Sequence, residues 1–318
     1  MPPPVSEYPC VFVVGMHRSG TSATAGTLDA LGVATPSGKD RVGRRKWNAR
    51  GYFESERMMT FNDRLLACLG GTWAAPPLLM PGWERDHALD SLRPRAAQFF
   101  AETFPARPMA WKDPRNCITL PFWRTVVSPP MAAVFVYRDP LEVARSLHAR
   151  NGAGVTYSLA LWDRHVRCAV TNLVGLPTLV ADYARVLDHP SSWIGELVDF
   201  LRSIGIEIGA PTRQAAIASL DADLRHQHAP VGRSSGVWDI QYEVLEALRM
   251  LDGSHDVWRA PDLGPEPGWV DEVLALRLAA DKLTRIEETL QTLRPGRIAR
   301  AMWDLRHQRG TTGFFPRL

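Results

Sequence analysis

Between Gly15 and Ser22 the chain reads GMHRSGTS, two glycines, three hydroxyls, a histidine and an arginine within eight residues. Glycines let the backbone turn tightly enough to aim several N–H groups at one spot, and hydroxyls and a guanidinium add donors, so the stretch suits a bound phosphate. Set against the pattern GxxxxGK[ST], both glycines are in place and Ser22 holds the hydroxyl position that usually meets a metal ion, but Thr21 stands where the lysine belongs. The nearest cation is Arg18, inside the loop. A kinase or ATPase uses that lysine to reach the β- and γ-phosphates. The loop therefore takes a different phosphate ligand, or serves a P-loop kinase or NTPase in modified form, with Ser22 and Asp139 holding magnesium. The plainest alternative is a tight strand-to-helix turn.

Three further stretches carry chemistry. In VFVYRDPLEVARSL an apolar run ends at Arg138, Asp139 and Pro140 are placed to cap and start a helix, and Ser146 follows on that helix. A charged fork and a hydroxyl can each take a phosphate oxygen; alternatively Arg138 is a strand-end arginine paired with Asp139 or Asp163, and Ser146 an ordinary helix serine. WKDPR puts Lys112 and Arg115 after another apolar run, where a turn with Asp113 capping before Pro114 reads equally well. GYFE, Gly51–Glu54, sets a carboxylate beside Tyr52 and Phe53, whose apolar surface favours its proton-binding form. Glu56 and Asp63 compete with Glu54 for any role as a base, and a loop or helix-cap carboxylate is the other reading.

The loop GxxRSGTS resembles the 5′-phosphosulfate loop of sulfotransferases that use 3′-phosphoadenosine 5′-phosphosulfate (PAPS), in which a basic residue just before Ser-Gly-Thr replaces the lysine. The resemblance covers about residues 10–230. It implies that His17, Arg18, Ser19, Gly20, Thr21 and Ser22 hold the 5′ side of the nucleotide, and that Arg138 and Ser146 hold its 3′-phosphate. It also implies that Lys112 joins Arg18 as an electrostatic catalyst, with Arg115 a weaker one, and that Glu54 is the base on the acceptor hydroxyl. His17 could be a base but sits among the phosphate donors, which gives it a supporting role, and His148, His165, His226 and His228 are alternatives. DADLRHQH, Asp221–His228, resembles a late segment that closes over the nucleotide, which adds Arg225 and His226. The product would be 3′-phosphoadenosine 5′-phosphate (PAP), and no metal is expected. The chain lacks the TYPKSGTTW and RKGxxGDW segments of the aryl and steroid enzymes, so the resemblance implies the bacterial, carbohydrate-type branch and a hydroxyl-bearing glycan, glycolipid or natural-product acceptor. Trp47, Tyr52, Phe53, Trp73, Trp83, Trp111, Trp123 and Trp162 are available to stack against one. A non-catalytic nucleotide-binding protein stays open beside it.

These residues need a frame that delivers strand ends to one place. Four β-branched or aromatic runs, Val11–Val14, Met109–Trp111, Ala132–Tyr137 and Thr178–Ala181, read as strands covered on both faces. Helical patterns lie between them at Ser22–Leu31, Met58–Leu69, Leu89–Phe104, Leu141–Ala149 and Tyr157–Leu173. The expectation is an α/β fold, a P-loop-type parallel sheet of four to five strands flanked by helices, with a mainly helical C-terminal part. The stretch DLGPEPG around Pro261–Pro267 reads as a linker, dividing an α/β domain (1–262) from a helical extension (263–318). In that extension Val273, Leu276, Leu283, Ile286, Leu290 and Leu293 fall near helical spacing, for a helix packed on its own domain or a homo-oligomer contact.

Composition sets limits. A formal charge of +3, from 37 Lys and Arg against 34 Asp and Glu, is too balanced for the basic field of a nucleic-acid coat, so anion binding must be local. The basic run Arg41–Lys46 reads as a solvated loop. Four scattered cysteines make no CxxC pair or metal cluster and suit a reduced, cytoplasmic setting. MPPPVSEYPC has no basic segment followed by an apolar core, and no apolar run approaches the roughly 20 residues of a membrane span.

Overall fold

In β1 (Cys10–Val14) all five residues are buried, because the strand has a helical layer on each side. Cys10, Phe12 and Val14 point into one apolar cluster and Val11 and Val13 into another, the alternation a pleated strand imposes. The computed structural model describes residues 8–43, 51–104, 107–128, 130–220 and 239–292. Around β1 lie β2 (Met109–Lys112), β3 (Met131–Tyr137), β4 (Thr178–Asp182) and β5 (Gly253–His255), in the order β2-β1-β3-β4-β5. The first four are parallel. β5 pairs antiparallel with β4, so the five-stranded sheet is mixed, with the expected parallel part formed by the other four strands. Gly-Ser-His has no β-branched or apolar residue to announce a strand; β5 is an edge whose partner, not its own composition, extends it.

The helices are α1 (Thr21–Ala30), α2 (Glu56–Cys68), α3 (Arg93–Thr103), α4 (Asn116–Val126), α5 (Pro140–Asn151), α6 (Val155–Asn172), α7 (Tyr183–Asp188), α8 (Pro190–Ser203), α9 (Ala210–Ser219), α10 (Asp239–Arg249) and α11 (Gly268–Thr292). The four expected strands and the helical patterns all appear, shifted by a few residues. Two helices, α4 and the short α7, had no expected counterpart, and α4 has Pro121 inside it. That proline cannot donate to the Cys117 carbonyl, and the side-chain amide of Asn172 does so instead at 2.8 Å.

The larger cluster, between the sheet and α2, α4 and α6, is built on Trp111, Trp123, Trp162 and Trp258, each fully buried. Truncating one such ring costs about 3–5 kcal/mol. The Pro-rich stretch expected as a linker is clamped to α6. Arg164 donates to both Glu266 oxygens at 2.6 Å and to Asp271 at 2.9 Å, and Arg167 donates to the carbonyls of Leu263 (2.9 Å) and Gly264 (2.8 Å). α11 then starts on α6 with Val270 and Leu274 buried.

This strand order has a topological consequence. The chain leaves β1 for β2 on one side and returns across it to β3 on the other, which opens a crevice between the carboxyl ends of β1 and β3. The Gly15–Ser22 loop and Arg138 are the segments that leave those two ends.

Candidate active site

The turn after β1 is shaped by what touches it. Gly15 has φ 155°, and a Cβ there would stand 2.2 Å from the carbonyl oxygen of Val136 in β3. Gly20, at the N-cap of α1, has φ 92°, and a Cβ would overlap the Tyr183 ring at 2.0 Å. Both positions thus require glycine, and Arg18 between them also takes a left-handed conformation, φ 71°. α1 begins at Thr21, so the loop feeds the positive end of a helix. Ser19 Oγ is buried and has no hydrogen-bond partner within the described chain. A hidden hydroxyl in a cradle closed to side chains fits a phosphate oxygen.

Arg18 reaches across the crevice and donates through Nε to Ser146 Oγ on α5 at 2.8 Å. Arg138 donates through Nη1 to the Arg18 carbonyl at 3.2 Å and through Nε to Glu142 at 2.8 Å, with Tyr183 5.2 Å from its guanidinium. The two aspartates weighed as alternative partners of Arg138 are engaged elsewhere. Asp139 caps α5 by accepting from the Leu141 and Glu142 amides, and Asp163 pairs with Arg167 at 2.6 Å. Glu142, one helical turn on from Arg138, takes its Nε–H. Trp162 Nε1 holds the Arg138 carbonyl at 3.0 Å. Burial, then Arg150, lowers the Arg18 pKa from its usual value; Tyr52 opposes this, Arg138 lowers it further, and Tyr183 again opposes. A bound anion would relieve that repulsion.

On the other side of the loop, Lys112 at the end of β2 donates to Glu54 Oε1 at 2.5 Å, both side chains buried. The local backbone aims the glutamate. Phe53 sits at φ 55° with its ring against Gly26 of α1, where a Cβ would lie 3.1 Å from the ring, and Arg41 covers it at 4.0 Å. Ser55 then caps α2, so Glu54 itself is no helix cap. Tyr52 lies 5.7 Å from Lys112 and also bears on Arg18, which places it between the two halves of the site.

Of the competing acids, Glu56 is exposed in the first turn of α2. Asp63 accepts from Arg115 at 2.5 and 3.1 Å, and Arg115 also binds Asp113 at 3.1 Å. Burial acts to lower the Arg115 pKa, but Asp113 and Asp63 more than offset it and the net shift is upward. Arg115 is thus a structural cation. Asp113 Oδ1 also accepts from the Arg115 amide, so the capping turn read from WKDPR is present. Asp113 and Asn116 take bonds from Asn62, which binds Trp123 in turn. Thr21 is buried at the start of α1 and Ser22 is half-buried beside it. Arg225, His226, His228 and Trp47 lie outside the described residues. Among the described residues no three His, Cys, Asp or Glu side chains are grouped to hold a metal ion.

The His17 ring is tilted against Trp73 at 4.9 Å and meets His165 edge-on at 5.7 Å. Burial, then His165, Arg115, Lys112 and Arg150, holds the His17 pKa well below its usual value. His165, with Nδ1 2.8 Å from the Leu161 carbonyl, is lowered to about 4, chiefly by burial. Both rings are neutral near pH 7. The unfolded chain takes up protons below about pH 6.5, whereas folded His165 does so only near 4. Stability therefore falls as pH drops through this window, with His165 contributing up to about 1.4 kcal/mol per pH unit. Urea midpoints should decline from pH 7 to 5, with a shallower decline in His165→Phe; a flat profile in the wild type would contradict the buried neutral pair. His148 is exposed.

Sequence reasoning missed three features. Tyr183, which fills the space under Gly20 and faces Arg138, follows β4 in a position that only the folded sheet brings to the loop. Glu142 and Arg150 also escaped notice, although the four-residue spacing of Arg138 and Glu142 was a usable signal. The stacking surfaces are fewer than expected, since Trp111, Trp123, Trp162 and Phe53 are buried. Tyr52, Trp73 and Trp83 are half-buried, and the first two border the site.

No protein-family model matches the chain, and no curated protein matches it. Among solved structures it is similar to the sulfotransferase domain from the Synechococcus PCC 7002 olefin synthase, at 14% identity over 88% of this chain and 98% of that one, TM-score 0.39. It is also similar to the sulfotransferase domain from the curacin biosynthetic pathway, at 13% identity over 86% and 98%, TM-score 0.40. A third similarity is to sulfotransferase STF9 from Mycobacterium avium, at 14% identity over 80% and 79%, TM-score 0.41.

Proposed function

We propose that the chain is a sulfotransferase that moves a sulfuryl group from PAPS to a hydroxyl of a carbohydrate, glycolipid or small natural product. The observation that carries this reading is the meeting of Arg18, Ser146 and Arg138, 128 and 120 residues apart in the two hydrogen-bonded pairs, at the crevice between β1 and β3. A nucleotide with phosphate groups at both ends of its ribose needs two anion sites side by side, and the loop and the β3–α5 turn supply them.

PAPS supplies the activated sulfuryl group. The loop amides, Ser19, Thr21 and Ser22 would hold its 5′ side, and Arg138 and Ser146 its 3′-phosphate. Arg18, bonded to Ser146, couples the two halves of the nucleotide site. Lys112 and Arg18 would face the sulfuryl oxygens, where fixed cations count most in a water-poor setting. Glu54 takes the proton of the attacking hydroxyl as the new O–S bond forms and the bond to PAP breaks. Its charge is then lost, which weakens its hold on Lys112 and turns that cation toward the group in transfer. Tyr52 and Trp73 would border the acceptor, and His17, neutral and packed against Trp73, serves as wall and donor rather than as a charge. Arg225 and His226 are proposed to close over the nucleotide, and the reaction needs no metal in this reading.

Calorimetric titration with PAP and with ATP, each with and without magnesium, tests the proposal. PAP should bind tightly and independently of magnesium, and labelled PAPS should transfer to hydroxyl acceptors. Preference for ATP with magnesium would turn the assignment to a kinase or NTPase, and binding without transfer to any acceptor would leave a nucleotide-binding protein.

A further inference from the structure

The helix α11 is 25 residues long, and its two faces have different fates. Val270 and Leu274 are buried against the domain. Farther along, Leu276, Leu283, Ile286 and Leu290 are 70%, 62%, 55% and 50% exposed, and every residue from 282 to 290 is exposed. At about 100° per residue the second group lies on the side of the helix roughly opposite the first. A helix bare on all sides gains nothing from packing, and an isolated helix of fewer than about 12–15 residues is marginal in water.

The exposed residues are spaced 276, 279, 283, 286, 290, a three-four alternation with Leu at each first position and Ala279 and Ile286 at the fourth. The sequence continues it at Leu293. That is the seam of a coiled coil, with an apolar residue at every a and d position over about 21 Å. The flanking charges choose the partner. In this register Lys282 is a g position and Glu287 the e position five residues later, the pair that meets across two parallel helices of the same sequence. The preceding g–e pair is Ala275 with Ala280, which leaves room for close approach. Antiparallel helices would set g against g and e against e, which leaves Lys282 and Glu287 without an opposite charge across the pair.

We infer that the distal half of α11 is a self-association surface, on which further copies of this chain pair in parallel through Leu276, Leu283, Ile286 and Leu290. The domain lies on the opposite face of the helix and so stays outside the coil. Leu at a with Ile at d shifts the preference towards three or four strands, and the measured mass counts them.

Sedimentation equilibrium of the full chain over a wide concentration series should give a mass of two or more copies. Leu283→Asp with Ile286→Asp, both at exposed positions that the domain core does not use, should reduce it to one copy without changing the melting temperature of the domain. Lys282→Glu should weaken association by roughly two- to tenfold, and adding Glu287→Lys should restore it. A wild-type chain that is monomeric throughout overturns the inference. So does an oligomer that survives the paired aspartates, or a double charge swap that fails to restore what the single one lost. A monomer that sediments with phospholipid vesicles would assign the stripe to a membrane surface, and the inference would also fall.

Discussion

Replacing Arg138 by alanine should lower PAP affinity by roughly 10- to 150-fold, the equivalent of the ~1.5–3 kcal/mol of a hydrogen bond to a charged group. Arg138 also holds Glu142 and the Arg18 carbonyl. Its loss removes one partner of the buried Glu142 carboxylate, which costs up to about 3–5 kcal/mol of stability. A fall in PAP affinity alone would thus not separate binding from damage. Comparison with AMP, which lacks the 3′-phosphate, does: Arg138→Ala should weaken PAP strongly and AMP little, whereas a collapsed loop would weaken both. Arg138→Ala in a Glu142→Gln background recovers stability and should keep the nucleotide discrimination lost. Equal weakening of PAP and AMP in that background would remove Arg138 from the 3′-phosphate site.

The site was legible in the sequence to the extent that its parts are local. GMHRSGTS announces a close turn with converging donors, and the structure has that turn, with Gly15, Arg18 and Gly20 at positive φ. Strand ends at Arg138 and Lys112 followed from apolar runs that stop at a charge. The pairings were not legible. Arg18 with Ser146 and Lys112 with Glu54 span 128 and 58 residues, and no periodicity links residues that far apart; only the strand order sets them side by side. Tyr183 was hidden for the same reason. In the fold, β5 has no strand composition and α4 carries a proline, so local propensity pointed away from both, and tertiary partners, β4 and Asn172, decide them.

Glu54→Gln should reduce sulfuryl transfer by about 10²- to 10⁴-fold, the worth of a positioned general base, while PAP binding stays within a few-fold of wild type. The separation is expected because Glu54 stands on the β2 side of the loop, with Lys112, and not among the Arg18, Arg138 and Ser146 contacts. The confounding effect is again a stranded ion: Lys112 is buried, and a neutral partner leaves its charge unpaired, at a cost of up to about 3–5 kcal/mol. Glutamine still accepts the lysine's hydrogen bond, which limits that loss. The double variant Glu54→Gln with Lys112→Met removes both charges and should melt closer to wild type than Glu54→Gln, yet transfer sulfuryl no better. If transfer returned along with stability, the pair would be structural and the base would lie elsewhere. Lys112→Met alone tests the cation: with Glu54 retained, a loss of turnover at unchanged acceptor KM is the signature of charge stabilisation in the transition state. A rise in KM alone would give Lys112 to acceptor binding.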